Sequence, residues 1–245
     1  MDSAQLKKLS YEDLKSVALE MDIKIPKSKE ELIQKMIKCF KEYENYKKNT
    51  IDKYKKICQL GNKGKEGITY LVKTKDNNEY AMKTFKKNKS SEKLKLEVKL
   101  QEMASKEGIS PKIIDYDTVG KYIVMEKLDK HLKDILENQN GLLTINQQKQ
   151  LIKIFETLDK VKVFHADSNI LNYMYKNKKL YIIDFGMSKE IDDKLIKKLG
   201  TTTPNIDIMT LGFVLKLKEH NCPKKSYEYL VKYISDVNIE KFQLL

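Results

Sequence analysis

Apolar residues recur at spacings of three and four near the start of the chain. Leu6 and Leu9 precede Ser10, and Tyr11, Leu14, Val17, Ala18 and Met21 then form one stripe, which predicts a helix. Pro26 and the lysines beside it make a turn. Ser28-Lys29-Glu30-Glu31 has the pattern of a capping box, and Leu32, Ile33, Met36, Ile37 and Phe40 supply the stripe of a second helix. Two short helices bury little, so this is a very small domain or an arm packed on something larger. Residues 41–56 are charged with scattered tyrosines and fit a linker or a helical extension. From Ile57 the pattern becomes strand-like: Ile57 to Leu60, Ile68 to Val72, and Tyr80-Ala81-Met82-Lys83. Leu94, Leu96, Val98, Leu100 and Met103 predict a helix. Tyr122 to Glu126 and Tyr181 to Ile183 read as buried strands.

Chemistry sits at the edges of these elements. Gly61, Gly64 and Gly67 lie between two strands, where glycines let backbone N–H groups approach phosphates, although such glycines also serve as plain turn residues. Lys83 stands in an apolar run, where a buried ammonium needs anions. Glu97, on the following helix, is the partner expected to hold it within reach of α- and β-phosphates, with Glu102 as the alternative. Phe164-His165-Ala166-Asp167-Ser168-Asn169-Ile170-Leu171-Asn172 places a carboxylate and an amide five apart in a loop. Asp184 ends an apolar strand, before Phe185-Gly186. Asp167 can accept or orient a hydroxyl proton, and Asn172 with Asp184 supplies the hard oxygens that Mg²⁺ takes beside nucleotide phosphates. Singly these are a turn Asp, a capping Asn and a strand-end Asp; together and in this order they have no such plain reading.

Composition narrows the rest. All 48 basic residues among the 245 are lysine, so chemistry that needs a planar guanidinium is excluded. The net charge of +13 is spread along the chain: residues 1–56 carry 14 Lys against 10 acids, and the remainder 34 against 25. A lysine-rich solvated surface accounts for most of it, and nucleic-acid binding is not required. Nine Gly, four Pro and 40% hydrophobic residues exclude collagen and pure disorder. Cys39, Cys58 and Cys222 are far apart and suit reduced thiols. No apolar signal core or membrane span is visible, so the expectation is a soluble intracellular protein without membrane contact.

The ordered set of glycine loop, Ala-Met-Lys, helix Glu, His-x-Asp-x-x-x-x-Asn and Asp-Phe-Gly resembles the protein kinase superfamily from about Leu60 to Lys218. The resemblance implies ATP and Mg²⁺ as cofactors and a protein substrate with a Ser or Thr acceptor. By position, Lys83 would grip the α/β phosphates and Glu97 would pair with it. Asp167 would be the catalytic base, and Asn172 and Asp184 would ligate magnesium. The Glu126 carbonyl and Leu128 N–H would meet adenine, with Met125 as gatekeeper. Ala81 and Met174 would flank the ring, below Leu60, the loop glycines and Thr69, which replaces the usual valine. Asp207-Ile208-Met209-Thr210-Leu211-Gly212 resembles the start of the family's central C-lobe helix, whose Asp braces the catalytic loop.

Departures carry information too. Gly61 and Gly64 are three apart, one more than usual. Ala166 replaces the arginine that receives an activation-loop phosphate, and Asn169 replaces a typical lysine. Only 21 positions separate Gly186 from Asp207, without an Ala-Pro-Glu motif. The chain therefore looks like the compact atypical kinases of the RIO and KEOPS-associated types, which Glu97 to Pro111 also resembles, and its composition suits a large DNA virus. Residues 5–40 resemble the SAP-type helix-extension-helix modules, with Met21-Asp22 where that family has a glycine. This implies docking to DNA, with a protein-docking or stabilising role equally open. The expected fold class is α+β: a bilobal protein-kinase-like fold, with a small β-rich N-lobe and a helical, truncated C-lobe, after a helix-extension-helix module. The expected divisions are 1–42 for the module, 43–56 for the linker or extension, 57–126 for the N-lobe and 127–245 for the C-lobe. The expected activity is transfer of the ATP γ-phosphate to Ser/Thr, free of control by activation-loop phosphorylation. An ATP-binding pseudokinase or ATPase-like scaffold and a small-molecule kinase are the alternatives. The location would be cytoplasm, nucleus or host cell, or the virion if the source is viral.

Overall fold

The computed structural model describes residues 3–21, 23–61 and 64–244, so the expected departure at Asp22 lies outside the described residues. Helices α1 (Ser3–Lys8), α2 (Tyr11–Glu20) and α3 (Lys29–Lys53) come first. The Ser10 hydroxyl accepts the Asp13 N–H (3.0 Å) at the start of α2, and the Ser28 hydroxyl accepts the Glu31 N–H (3.2 Å) at the start of α3. The predicted stripes meet: Leu6, Leu14, Ala18, Leu32, Ile33 and Met36 form a separate buried core. The Tyr11 hydroxyl donates to the Pro26 carbonyl (2.6 Å) and fixes the intervening turn. Residues 41–53 hold neither glycine nor proline, and α3 runs through them without a break.

Strand β1 (Lys55–Leu60) starts two residues ahead of the expected Ile57. It is followed by β2 (Gly67–Lys73), β3 (Glu79–Phe85), α4 (Ser91–Lys106), β4 (Ile113–Asp117) and β5 (Tyr122–Glu126). These strands form one sheet in the order β1-β2-β3-β5-β4. Because side chains alternate along a strand, the register sorts the sheet into two faces. Val72, Met82, Tyr122 and Val124, with Tyr54, form a core on one face. Leu60, Thr69, Lys83 and Ile123 align across the other, beside the row Leu71, Ala81 and Met125.

The remaining elements are β6 (Lys130–His131), α5 (Leu132–Asn138), α6 (Ile145–Lys160), β7 (Val163–Phe164), β8 (Tyr173–Lys176), β9 (Lys179–Ile182), β10 (Lys189–Glu190), α7 (Asp193–Leu199), α8 (Thr210–Glu219) and α9 (Asp236–Phe242). A π-helical turn, Asn205–Met209, leads into α8. A reciprocal capping box between Thr144 and Gln147 starts α6, whose apolar face enters a large core with Phe155, Tyr173, Phe185 and Phe213. Two compact units result: residues 1–96 with 114–127, and residues 97–113 with 128–245. The fold class is α+β, as expected. No helix among the described residues is long and apolar enough to cross a membrane.

The separate core of α1 to α3 makes the first prediction. Leu32→Ala removes a fully buried side chain and should cost about 2–5 kcal/mol of local stability. Hydrogen exchange should accelerate in α1 to α3 while the amides of β2 and β3 keep their protection.

Candidate active site

The first unit holds the glycine loop and Lys83. Gly61 has φ +67°, a value that favours glycine. The Gly64 N–H donates to the Gly67 carbonyl (2.9 Å). A Cβ on Gly67 would lie 1.9 Å from the Thr84 carbonyl oxygen, so only glycine fits where β2 meets β3. Thr69 and Lys83 are direct cross-strand neighbours, as are Ala81 and Met125. The sheet thus gathers Leu60, Thr69, Ala81, Lys83 and Met125 on one face, and Glu126 closes β5 opposite Tyr80. Glu97, 2% exposed on α4, belongs to the second unit, as do Leu128 and Met174.

In that second unit the predicted carboxylates and amide converge. The β8–β9 hairpin pairs Tyr173 with Ile182, and the Ile183 N–H donates to the Asn172 carbonyl (2.9 Å). Asn172 and Asp184 therefore emerge at one end of the hairpin. The Asp167 carboxylate accepts the Asn169 N–H (3.1 Å), and its backbone carbonyl accepts from the Asn172 amide (3.4 Å). That contact uses the nitrogen of Asn172 and leaves the amide oxygen for other work. Asp184, exposed and with φ +66°, accepts the Gly186 N–H on one carboxylate oxygen (3.4 Å). An amide oxygen and a carboxylate at one strand end suit a hard divalent cation such as Mg²⁺.

His165 ties this loop together. Its Nδ1 lies 3.1 Å from the Asp167 carbonyl oxygen and its Nε2 lies 3.0 Å from that of Ile183. Its ring meets Phe185 edge to face at 5.0 Å. Burial pushes the imidazole below its ordinary 6.5, against the pull of the two carbonyls. A neutral ring carries one N–H and donates to one of them. Ala166, where the resemblance expected an arginine in regulated relatives, takes φ +64°.

The residue that braces the Asp167 loop is not the one expected. Asp207 is exposed and accepts the hydroxyls of Thr201 and Thr203. Asn205, fully buried, does the bracing instead. Its side-chain oxygen accepts the His165 N–H (3.1 Å), and its amide nitrogen donates to the Val163 carbonyl (2.7 Å) and to the Asp159 carboxylate (2.6 Å). Asp159 also accepts the N–H groups of Asn205 and Ile206, both at 3.0 Å. The π turn widens the helix at Asn205–Met209, so a count back from Gly212 on α-helical geometry lands on the wrong side chain. Gly212 packs closely on this loop: a Cβ there would lie 2.4 Å from the Ser168 hydroxyl, which would have to turn away. Asn205 and Asp159 carry no motif and were missed by sequence reasoning; a polar residue directly after Pro204 is the only local signal.

A strand lysine behind a glycine loop, and an aspartate, asparagine and second aspartate brought to one hairpin end, are equipment for phosphoryl transfer and place the chain among the phosphotransferases. Residues 54–205 match the protein kinase domain, well over half of the chain, and the chain belongs to that family. No curated protein matches it.

Two predictions test the brace and the buried ring. Asn205→Ala leaves the His165 N–H and the Val163 carbonyl without a partner and should destabilise the second unit by about 2–5 kcal/mol, read by chemical denaturation. Below about pH 6.5 the unfolded chain takes up a proton that folded His165 resists, so stability should fall as pH drops from about 7 to 5. Thermal melts of His165→Asn should show a flatter pH profile than wild type.

Proposed function

We propose that the chain transfers the γ-phosphate of ATP, with Mg²⁺, to Ser or Thr hydroxyls of protein substrates. The convergence of Asp167, Asn172 and Asp184 at the β8–β9 hairpin carries this reading. Asp167 accepts or orients the proton of the acceptor hydroxyl, held by Asn169 on one side and by its backbone contacts with His165 and Asn172 on the other. Lys83 would grip the α- and β-phosphates, with Glu97 as the partner that the family's pattern assigns to it. Asn172 and Asp184 would hold the magnesium, which neutralises phosphate charge when bound. Adenine is received by the Glu126 carbonyl and the Leu128 N–H, with Met125 as gatekeeper. By the family's pattern, Ala81 and Met174 would flank the ring, below Leu60 and Thr69.

Ala166 offers no cation to an activation-loop phosphate, which supports constitutive activity. The short path from Gly186 to Asp207 supports kinship with the compact atypical kinases, and the composition supports a large DNA virus as source. The α1–α3 module docks DNA or a protein partner, a reading supported by its own core and by exposed Lys24 and Lys27 in the turn between α2 and α3.

Purified protein with labelled ATP and a panel of basic and acidic proteins should yield phosphoserine or phosphothreonine. Asp167→Ala and Asp184→Ala should each lower transfer by about a hundredfold or more. Equal incorporation in both variants overturns the kinase reading. A nucleotide-dependent thermal shift without transfer would point instead to an ATP-binding scaffold. If the module docks DNA through phosphate contacts, binding of the full chain should weaken steeply between low and physiological salt, and DNA binding that ignores salt would refute that role.

A further inference from the structure

The glycine loop carries an acid. Glu66 precedes Gly67, and its backbone is fixed, because the Lys86 N–H donates to the Glu66 carbonyl (2.9 Å) and Gly67 is pressed against β3. From this anchored position the Glu66 carboxylate lies 2.9 Å from Nζ of Lys89 and 3.9 Å from Nζ of Lys83. Both ammonium groups also stand over the ring of Phe85, at 4.9 Å for Lys83 and 5.0 Å for Lys89.

Lys89 is the unusual member. It is only 8% exposed, in a turn closed by its own N–H to the Lys86 carbonyl. Lysine is rarely buried unless its charge is met. Here two cations and an aromatic face meet the Glu66 carboxylate, and that carboxylate belongs to the loop whose glycines open its backbone to phosphates. A carboxylate and a phosphate are alternative ligands for such a pair, and the phosphate brings more charge and more acceptor oxygens.

We propose that Lys89 is a second phosphate-binding cation beside Lys83, and that Glu66 is a built-in competing anion, exchanged for the phosphates of a nucleoside di- or triphosphate on binding. The proposal rests on the reading of Lys83 as the phosphate-gripping lysine. It makes the two side chains act in opposite senses: Lys89 adds affinity for the nucleotide, and Glu66 subtracts from it.

Calorimetric titration of the full chain with ATP, ADP and adenosine separates the possibilities. Lys89→Met keeps the buried stem and removes the charge. It should weaken ATP and ADP about tenfold or more while leaving adenosine unchanged. Glu66→Gln removes the competitor and should tighten ATP about three- to tenfold, because the pair no longer has to release an internal ligand. The double variant should bind as Lys89→Met does. Wild-type affinity for ATP in Lys89→Met overturns the proposal, and so does weaker binding by Glu66→Gln, which would make the pair a structural latch. Should Lys89→Met melt early, Glu66→Gln decides by its sign, since that side chain is 42% exposed and its loss leaves the core intact. Failure of wild type to bind ATP and adenosine alike refutes the nucleotide reading itself; wild-type binding with an unaltered Lys89→Met refutes only the role of Lys89.

Discussion

A buried carboxylate governs the second unit. Asp159 projects from α6 into a core and is satisfied by three N–H groups from the Asn205–Ile206 segment. Burial raises its pKa, and these bonds pull it back without cancelling the rise. The same Asn205 amide then reaches Val163 and His165, on either side of Phe164. One side chain thus joins a helix, a strand and the loop that carries Asp167. That loop needs the restraint. Ala166 in it, like Asp184 after β9, occupies a left-handed backbone conformation, which costs of order 1 kcal/mol or more and persists only where the surroundings over-determine it.

The absence of arginine gives this network its character. Where a guanidinium could present several donors in a fixed fork, the chain uses a buried amide. Asn205 supplies one acceptor and two donors, and each finds a partner. In the first unit the same constraint appears as paired lysines: Lys83 and Lys89 both approach the Glu66 carboxylate and the face of Phe85. An ammonium lacks the directional fork, so the surroundings must fix its aim. The burial of Lys89 does so.

The legible part of the molecule is the part governed by short-range periodicity. The stripes of Tyr11 to Met21 and Leu32 to Phe40 emerged as α2 and the first half of α3, because spacings of three and four determine which face is buried. Lys83 in an apolar run was readable as a lysine whose charge must be met, because the cost of burying an unmatched charge is general. Its row on the sheet, shared with Thr69, needed only the period of two and the register. Asn205 was unreadable for a different reason. Its role depends on a π turn that changes the helical count, and nothing in five residues of mixed polarity announces that turn. Glu66 and Lys89 are 23 positions apart, and their meeting follows from the β2–β3 hairpin folding back, a tertiary fact without a local signature.

The end of α3 shows how far ionic contacts alone can be trusted here. Asp115 on β4 gathers Lys53 (2.6 Å), the Tyr54 hydroxyl (3.1 Å) and the Tyr122 hydroxyl (3.3 Å). This resembles the Asp159 arrangement, but the Lys53 side chain is 58% exposed. An exposed pair of that kind contributes about 0–1 kcal/mol and fades with salt. The seat therefore rests on Tyr54, which is buried, meets Tyr122 edge to face at 6.3 Å, and has its phenol pushed up by burial and then by Asp115. A chain with 48 lysines can form many ion pairs, yet Asp115 and Asp159 hold their places through the Tyr54 ring and the Asn205 amide, not through an ammonium.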